Sequence, residues 1–142
     1  TGLTVIMVSH DPAEVLSMAD ELIVLKDGEI LEHGHPKHLY RYPQHLYTAR
    51  LLTNCNVLTR EEAHLCGIAA QKDHVVIYPE WAEPTASLTR KHWAVKQILF
   101  KGFFEELVLE QEGVELRALN SRAEKYAEGD MVHVKFKKLL EY

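Results

Sequence analysis

His10 is the residue of this 142-residue chain whose type and position best suit a reaction centre. It follows Thr4–Val8, an apolar run without alternation, which is typical of a strand covered on both faces in a parallel sheet. Ligands of open α/β sheets bind beyond the carboxyl ends of such strands, so this position predicts an imidazole that faces a ligand. On spacing alone, a histidine that simply ends a strand is the favoured alternative.

Four of the nine histidines lie close together in the sequence, at His33, His35, His38 and His45. A His-x-His-x-x-His grouping can bind zinc or nickel. No carboxylate or cysteine stands among these histidines, so a solvated, histidine-rich loop is the preferred interpretation. Cys55 and Cys66 form no CxxC motif, and we expect reduced thiols rather than a disulfide or a zinc knuckle.

Two further groups of residues have both a functional and a structural interpretation. Five glutamates are close in sequence, and we expect a solvated face that discourages edge pairing; they are Glu105, Glu106, Glu110, Glu112 and Glu115. Around Pro79 and Glu80, Tyr78 and Trp81 either line a small-molecule site or serve as core and turn residues.

Composition excludes several classes of protein. The length suits about one domain, and 46% apolar with 26% charged residues is ordinary for a globular chain. The net charge of −5 argues against a nucleic-acid binder. No apolar run approaches the ~20 residues of a spanning helix, and we expect no secretion signal.

The first 54 residues show alternating strand and helix patterns. Asp11 is the expected N-cap of a helix that starts at Pro12, carries Glu14 at a capping-box position and runs to about Ala19. We expect this helix to bury Val15, Leu16 and Met18. The other predicted elements are a strand at Glu21–Leu25, an Asp27-Gly28 hairpin turn, a return strand at Ile30–Glu32, and short helices around Lys37–Tyr40 and Gln44–Leu52.

Residues 55–142 show mainly β patterns. A capping box of Thr59 and Glu62 predicts a short helix, Gly113 marks a hairpin, and Gly129-Asp130 marks a turn. The predicted strands are Val75–Tyr78, Ala94–Phe100, Glu106–Glu110, Glu115–Leu119 and Met131–Lys137. In the last of these, Val132, Val134 and Phe136 alternate with His133, Lys135 and Lys137. Strands at this spacing suggest a small barrel or sandwich.

The strand at Val5–Val8 lacks sufficient neighbours among the first 54 residues. Only Leu22–Leu25 has a similar apolar character, and a two-strand pair with one helix cannot cover itself. Residues 1–54 therefore look like the end of a larger α/β domain.

The ordered motifs of residues 1 to about 58 resemble the tail of an ABC-transporter ATPase subunit. The resemblance rests on Thr-Val-Ile-Met-Val-Ser-His-Asp-Pro-Ala-Glu-Val-Leu, on Met-Ala-Asp-Glu-Leu-Ile-Val-Leu-Lys-Asp-Gly-Glu-Ile, and on His-Gly-His-Pro-Lys-His-Leu-Tyr. Ile-Tyr-Pro-Glu at 77–80 and Glu-Gly-Asp-Met-Val-His-Val at 128–134 are similar to the TOBE-type accessory domain of importer subunits.

This resemblance implies a fold in two parts. Residues 1–54 would be the C-terminal remnant of a P-loop nucleotide-binding domain, and residues 55–142 a small all-β, OB-like or TOBE barrel. The chain has no GxxxxGK[ST] loop, no Gly-Lys pair, no Leu-Ser-Gly-Gly signature and no apolar strand that ends in Asp-Glu. We therefore expect a C-terminal fragment without ATPase activity of its own, whereas the intact parent is an ATPase.

In the intact subunit, the resemblance makes His10 the switch histidine that contacts the γ-phosphate of ATP and helps orient the attacking water. ATP and magnesium are the implied cofactors there, and none is expected for this chain alone. The implied partners are transmembrane permease subunits and a second ATPase subunit, at the cytoplasmic inner face of the membrane. The implied solutes are polyamines, ferric iron, sulfate, molybdate or sugars.

We also expect this chain to form a homodimer, because unpaired apolar strands recruit strands from other chains; the alternative is that Val5–Val8 and Leu22–Leu25 pair directly within one chain. The alternative function is a β-barrel module for small-ligand sensing or dimerisation, with no ATPase role. Such a sensor needs convergent polar groups in one concavity, and residues 55–142 show no basic cluster for an oxyanion. An OB-like nucleic-acid binder would need an aromatic and basic strand face, which this sequence lacks.

Overall fold

The computed structural model describes residues 2–86, 92–121 and 126–142. The chain divides into two compact units, Thr1–Thr53 and Asn54–Tyr142. They are called unit 1 and unit 2 below, and each is described by itself. No helix of the described residues is both long and apolar enough to span a bilayer.

Unit 1 consists of three short helices and one hairpin. Its elements are α1 (Pro12–Met18), β1 (Leu22–Lys26), β2 (Glu29–Gly34), α2 (Pro36–Arg41) and α3 (Leu46–Leu52). β1 and β2 pair antiparallel around Asp27 and Gly28, whose φ angles are 52° and 80°. Positive φ at both turn residues is what a two-residue hairpin needs, so the predicted hairpin is confirmed.

The predicted strand at Thr4–Val8 is wrong. Residues 2–8 carry no regular secondary structure, and Val5, Ile6 and Val8 are largely exposed. A strand is stable only when a neighbour satisfies its backbone N–H and C=O groups. The described residues of unit 1 contain only the β1–β2 hairpin, and neither strand pairs with this segment.

The first helix begins at Pro12 after the predicted N-cap, but it buries less than predicted. The predicted capping box is wrong, because the Glu14 carboxylate accepts the Ser9 hydroxyl and the Asp11 N–H donates to Ser9 Oγ. Asp11 is its N-cap, and the carboxylate accepts hydrogen bonds from the N–H groups of Ala13 (3.0 Å) and Glu14 (3.5 Å). Val15 is only half-buried and Met18 is 68% exposed, so the predicted burial of Met18 is wrong. The apolar side of a helix is buried only when another element lies over it.

Unit 2 is β-rich, as the sequence predicts. Its elements are β3 (Asn56–Thr59), α4 (Arg60–Leu65), β4 (His74–Ile77), a 3₁₀ turn (Pro79–Trp81), β5 (Ala82–Thr85), β6 (Trp93–Phe100), β7 (Glu105–Gln111), β8 (Val114–Asn120), β9 (Met131–Phe136) and β10 (Leu140–Glu141). The capping box of Thr59 and Glu62 at the start of α4 is confirmed.

The sheets of unit 2 are open. One has three strands in the order β10-β4-β3, and the other has five in the order β5-β9-β6-β7-β8. The predicted alternation of β9 is confirmed, with Val132 and Val134 buried and Lys135 exposed. Among the described residues no sheet closes through hydrogen bonds, so the predicted barrel is not confirmed. Residues of the edge strands β5 and β8 instead line a common cleft.

The core of unit 2 is built from both sheets. Its largest fully buried side chains include Ile77, Leu107, Leu109 and Leu116. Asn56 connects the two sheets. Its amide nitrogen donates to the carbonyl oxygens of Ile77 (3.0 Å) and Arg117 (2.8 Å), and its Oδ1 accepts from the Arg117 N–H (2.7 Å). This buried side chain therefore joins β3 to β4 and to β8.

Candidate functional site

His10 lies in a short, well-tethered loop before α1. The Ser9 hydroxyl donates to Glu14 Oε2 (2.7 Å), and the Asp11 N–H donates to Ser9 Oγ (3.1 Å). Asp11 in turn caps the helix. The residues on both sides of His10 are thus joined to α1 and to each other by short-range hydrogen bonds, although the strand predicted to precede His10 is absent.

The imidazole of His10 is exposed to solvent. Within the described part of the chain it has no hydrogen-bond or ion-pair partner, so both ring nitrogens are available to a ligand. A neutral imidazole has one N–H donor and one acceptor, whereas the protonated ring has two donors. The loop can therefore present a hydrogen-bond donor outward without first breaking an internal contact.

The other clustered histidines do not converge on one point. His33 Nε2 lies 3.1 Å from Glu21 Oε1, and His35 Nδ1 accepts the Lys37 N–H (3.2 Å) at the start of α2. His38 contacts the Tyr42 ring. In the described ranges no three His, Cys, Asp or Glu side chains are grouped so that they could hold a metal ion. These contacts favour separate structural roles over a metal site.

The sequence analysis missed the buried carboxylate of Glu32. It accepts hydrogen bonds from the Gln44 N–H (2.9 Å) and the His45 N–H (3.3 Å), and His45 Nδ1 lies 3.4 Å from it. Glu32 therefore fastens β2 to the chain just before α3. No local pattern indicates this role, because its partners lie at least twelve residues away.

Cys66 does not have the features of a reactive thiol. Cys55 and Cys66 form no disulfide with each other, and both are half-buried. Burial, with the charges of Glu62 and Glu112, raises the pKa of Cys66 to about 11. Since the thiolate is the nucleophile, Cys66 stays protonated and unreactive near neutral pH.

Basic side chains pair with several of the five glutamates that lie in or between β7 and β8. Lys96 Nζ lies 2.7 Å from Glu115 and 3.1 Å from Glu110. Its hydrogen bond to Glu115 raises the pKa of Lys96 and lowers the pKa of Glu115. Glu106 corrects the prediction of a fully solvated face: its buried carboxylate pairs with Arg117 (3.4 Å) and Lys101 (3.6 Å). A paired carboxylate of this kind is structural.

The aromatic residues near Pro79 belong to the core and to a turn. Tyr78 is fully buried, and its ring stacks on Trp81 with 3.9 Å between centroids. Lys138 Nζ lies 4.8 Å from the centroid of the Trp81 ring. These contacts support the structural interpretation of both aromatic side chains.

A cleft between β5 and β8 is one concave feature of the described residues. It holds about 160 Å³, and its polar lining includes Glu80, Asn120 and an ion pair of Glu83 with Lys137 (3.3 Å). Typical small-molecule sites occupy roughly 300–1,000 Å³ and are mostly apolar. The cleft is too small and too polar to favour the ligand-sensing alternative.

Comparison with known proteins gives one consistent result. The Fe(3+) ions import ATP-binding protein FbpC of Pseudomonas fluorescens is 47% identical over 57 residues, which are 40% of this chain and 16% of that protein. The spermidine/putrescine import ATP-binding protein PotA of Photobacterium profundum is 45% identical over 56 residues, 39% of this chain and 15% of that protein. PotA of Mycoplasma capricolum is 40% identical over 58 residues, 41% of this chain and 16% of that protein.

No family model matches the chain. About two fifths of the chain is nevertheless similar in sequence to ATP-binding subunits of ABC importers. This similarity confirms the resemblance found in the motifs. The chain matches only 15–16% of the length of these three relatives. The TOBE resemblance of the remainder stays a prediction.

Proposed function

We propose that this chain is the C-terminal portion of the ATP-hydrolysing subunit of an ABC importer. The observation that carries the proposal is the 40–47% identity with import ATP-binding proteins over 56–58 residues. In this proposal residues 1–54 end the nucleotide-binding domain, and residues 55–142 form a TOBE-like accessory domain. The intact protein couples ATP hydrolysis to solute uptake.

His10 is the residue of this chain that acts on the nucleotide in the proposed subunit. Its imidazole is exposed and unpartnered among the described residues, and the loop around it is tethered by Ser9, Asp11 and Glu14. A donor held in this way can bond a phosphoryl oxygen without first losing another contact, and phosphoryl transfer depends mainly on such positioning.

In this proposal the chain supplies His10 to an ATP site, but its sequence does not contain the phosphate-binding loop of such a site. Bound ATP and magnesium supply the transferable phosphoryl group and its charge neutralisation. A GxxxxGK[ST] loop would supply the backbone donors that cradle the phosphates, and the sequence does not contain one. The role of His10 therefore belongs to the intact subunit, where other residues hold the nucleotide.

The partners in this proposal are transmembrane permease subunits and a second ATPase subunit, on the cytoplasmic face of the membrane. A second copy of this chain is a further proposed partner. The proposed transport role rests on the names of the relatives, which are import proteins for ferric ions or for spermidine and putrescine.

Replacement of His10 in the complete subunit tests this function. His10→Ala should lower ATP turnover by ~10²–10³-fold, as expected for the loss of one donor to the transition state, while nucleotide affinity stays unchanged. His33→Ala is the matched control, because His33 is also exposed but pairs with Glu21; its turnover should stay normal. Normal turnover and transport in His10→Ala would refute the role of His10.

A further inference from the structure

Hydrogen bonds connect the two neighbours of His10 to each other and to α1. The Asp11 N–H donates to Ser9 Oγ (3.1 Å), and the Ser9 hydroxyl donates to Glu14 Oε2 (2.7 Å). Asp11 Oδ1 accepts the Ala13 N–H (3.0 Å) in the first turn of α1. The chain bends at His10, so Ser9 and Asp11 are bonded to each other across the residue that carries the imidazole.

The chemistry of these groups sets the direction of each hydrogen bond. A hydroxyl has one hydrogen to donate and two lone pairs that accept. Because the Asp11 N–H can only donate, Ser9 Oγ accepts it, and the hydroxyl hydrogen of Ser9 goes to the Glu14 carboxylate. Hydrogen bonds to a carboxylate are shorter and stronger than those between neutral groups. Glu14 therefore holds Ser9 Oγ at the place where Oγ accepts from Asp11.

These contacts are local in the sequence. Their partners are two to five residues apart, and all of them lie between Ser9 and Glu14. They need no residue before Ser9, so the same contacts can form in a longer chain. Glu14 lies on α1, so its carboxylate joins the loop to a helix.

We propose that Glu14 is a positioning residue for His10 and acts through the Ser9 hydroxyl. This inference rests on the proposed function, in which the imidazole donates to a phosphoryl oxygen of ATP. Phosphoryl transfer depends mainly on groups that are already in place before the reaction. Ser9 and Glu14 act on the backbone on both sides of His10 rather than on the nucleotide, and they restrict the directions in which the imidazole can point.

Variants of the complete subunit test this role. Glu14→Ala removes the acceptor of the Ser9 hydroxyl, and Ser9→Ala removes the hydroxyl itself. Each should lower kcat for ATP by ~10-fold with KM unchanged, because a misdirected donor weakens the transition state and not nucleotide binding. Glu14→Gln keeps an oxygen acceptor and should recover most of kcat. A kcat in Glu14→Gln as low as in Glu14→Ala would overturn the hydrogen-bonding role.

Two exposed positions of unit 1 provide matched controls. Glu21→Ala removes a carboxylate that pairs with His33 (3.1 Å), and Ser17→Ala removes a hydroxyl that donates to the Glu14 carbonyl within α1 (2.9 Å). Neither contact involves Ser9 or His10, so both variants should turn over normally. A loss in either control equal to that in Glu14→Ala would mean that general damage to unit 1 lowers kcat, and it would overturn the proposal.

Combination with His10→Ala separates positioning from a purely structural role. If Glu14 acts through His10, Glu14→Ala should lower single-turnover hydrolysis no further once residue 10 is alanine. A further ~10-fold loss in that background would overturn the inference. So would normal kcat in Ser9→Ala and Glu14→Ala beside an impaired His10→Ala, and neither result would affect the proposed function. Normal turnover in His10→Ala would instead refute the role of His10 and, with it, the positioning by Glu14.

Discussion

The two units of the chain bury their apolar residues to very different extents. Among the described residues, the core of unit 2 contains sixteen buried hydrophobic residues, which come from the two sheets, from α4 and from the loop after α4. The buried cluster of unit 1 contains three, Val24, Leu39 and Leu52. Unit 1 nevertheless has apolar side chains in plenty, and many of them are exposed. An apolar pattern stabilises a fold only where a second layer lies over it.

The strand edges of the two units also differ in how well they are protected against pairing with another chain. Unit 2 protects its edges with Pro84, which cannot donate to a further strand on β5, and with charged residues along β8 such as Glu115 and Arg117. Proline and charge at an edge discourage pairing with other chains. The edge of β1 has neither device before Lys26. The described edges of unit 2 therefore discourage strand pairing, whereas the edge of β1 lacks these features.

The largest expected effect comes from separating the units. A chain of residues 54–142 should unfold in one cooperative thermal transition, because its core is complete. A chain of residues 1–53 should show none, since a hydrophobic cluster of three buried residues cannot offset its conformational entropy. Circular dichroism melting of both chains measures this difference. A sharp transition in the shorter chain would contradict this prediction and show that unit 1 folds cooperatively by itself.

Loss of the Asn56 side chain should also be large. Asn56→Ala leaves the carbonyl groups of Ile77 and Arg117 and the Arg117 N–H without their partner. Each unsatisfied buried group costs roughly 1–3 kcal/mol. Three groups are affected and two of them are part-buried, so the free energy of unfolding of unit 2 should fall by about 3–5 kcal/mol. Urea titration measures it, with the exposed Asn54→Ala as the control. A loss as small as that of the control would mean that the two sheets do not depend on Asn56.

A smaller effect is expected from the pH dependence of Cys66. Its folded pKa of about 11 is above the value of ~8.5 for a free thiol. The protonated form is therefore favoured by folding, and this contribution to stability is complete below pH ~8.5 and disappears as pH rises through about 11. In the Cys55→Ala variant, alkylation of Cys66 should rise with pH around a midpoint near 11. A midpoint near that of a free thiol would show that unit 2 does not shield Cys66.

The smallest expected effect is the response of this chain to nucleotide. Neither unit contains a phosphate-cradling loop in its sequence, and such loops supply most of the backbone donors for the phosphates. Calorimetric titration with Mg-ATP should show no saturable heat. A micromolar affinity would mean that one of the units holds the nucleotide by residues other than those of the family motifs.

Much of the local structure was predictable from the sequence. Asp11 caps α1, Asp27 and Gly28 form the hairpin turn, and Thr59 with Glu62 forms the capping box. The alternation of β9 also matches its burial. Each of these features is a contact or a pattern within a few residues, so its energy depends on types and spacings that the sequence displays directly.

Strands without such a pattern were missed. β5 contains Glu83 and Pro84, which are rare inside a sheet but tolerated at its edge. β10 has only two residues and exists because it pairs with Val75 and Val76. No local propensity distinguishes either segment from a loop.

His10 shows how much of the candidate site could be predicted from the sequence. The sequence determined its helix cap and its tethered loop, because Ser9, Asp11 and Glu14 lie within four residues of it. Whether Val5–Val8 forms a strand was decided only by tertiary structure, since a ladder needs a partner strand from elsewhere. The same holds for Glu32 and Asn56, whose bonding partners are twelve to sixty-one residues away. Local hydrogen bonds form wherever the residues occur, whereas long-range ones exist only where the fold brings both groups together.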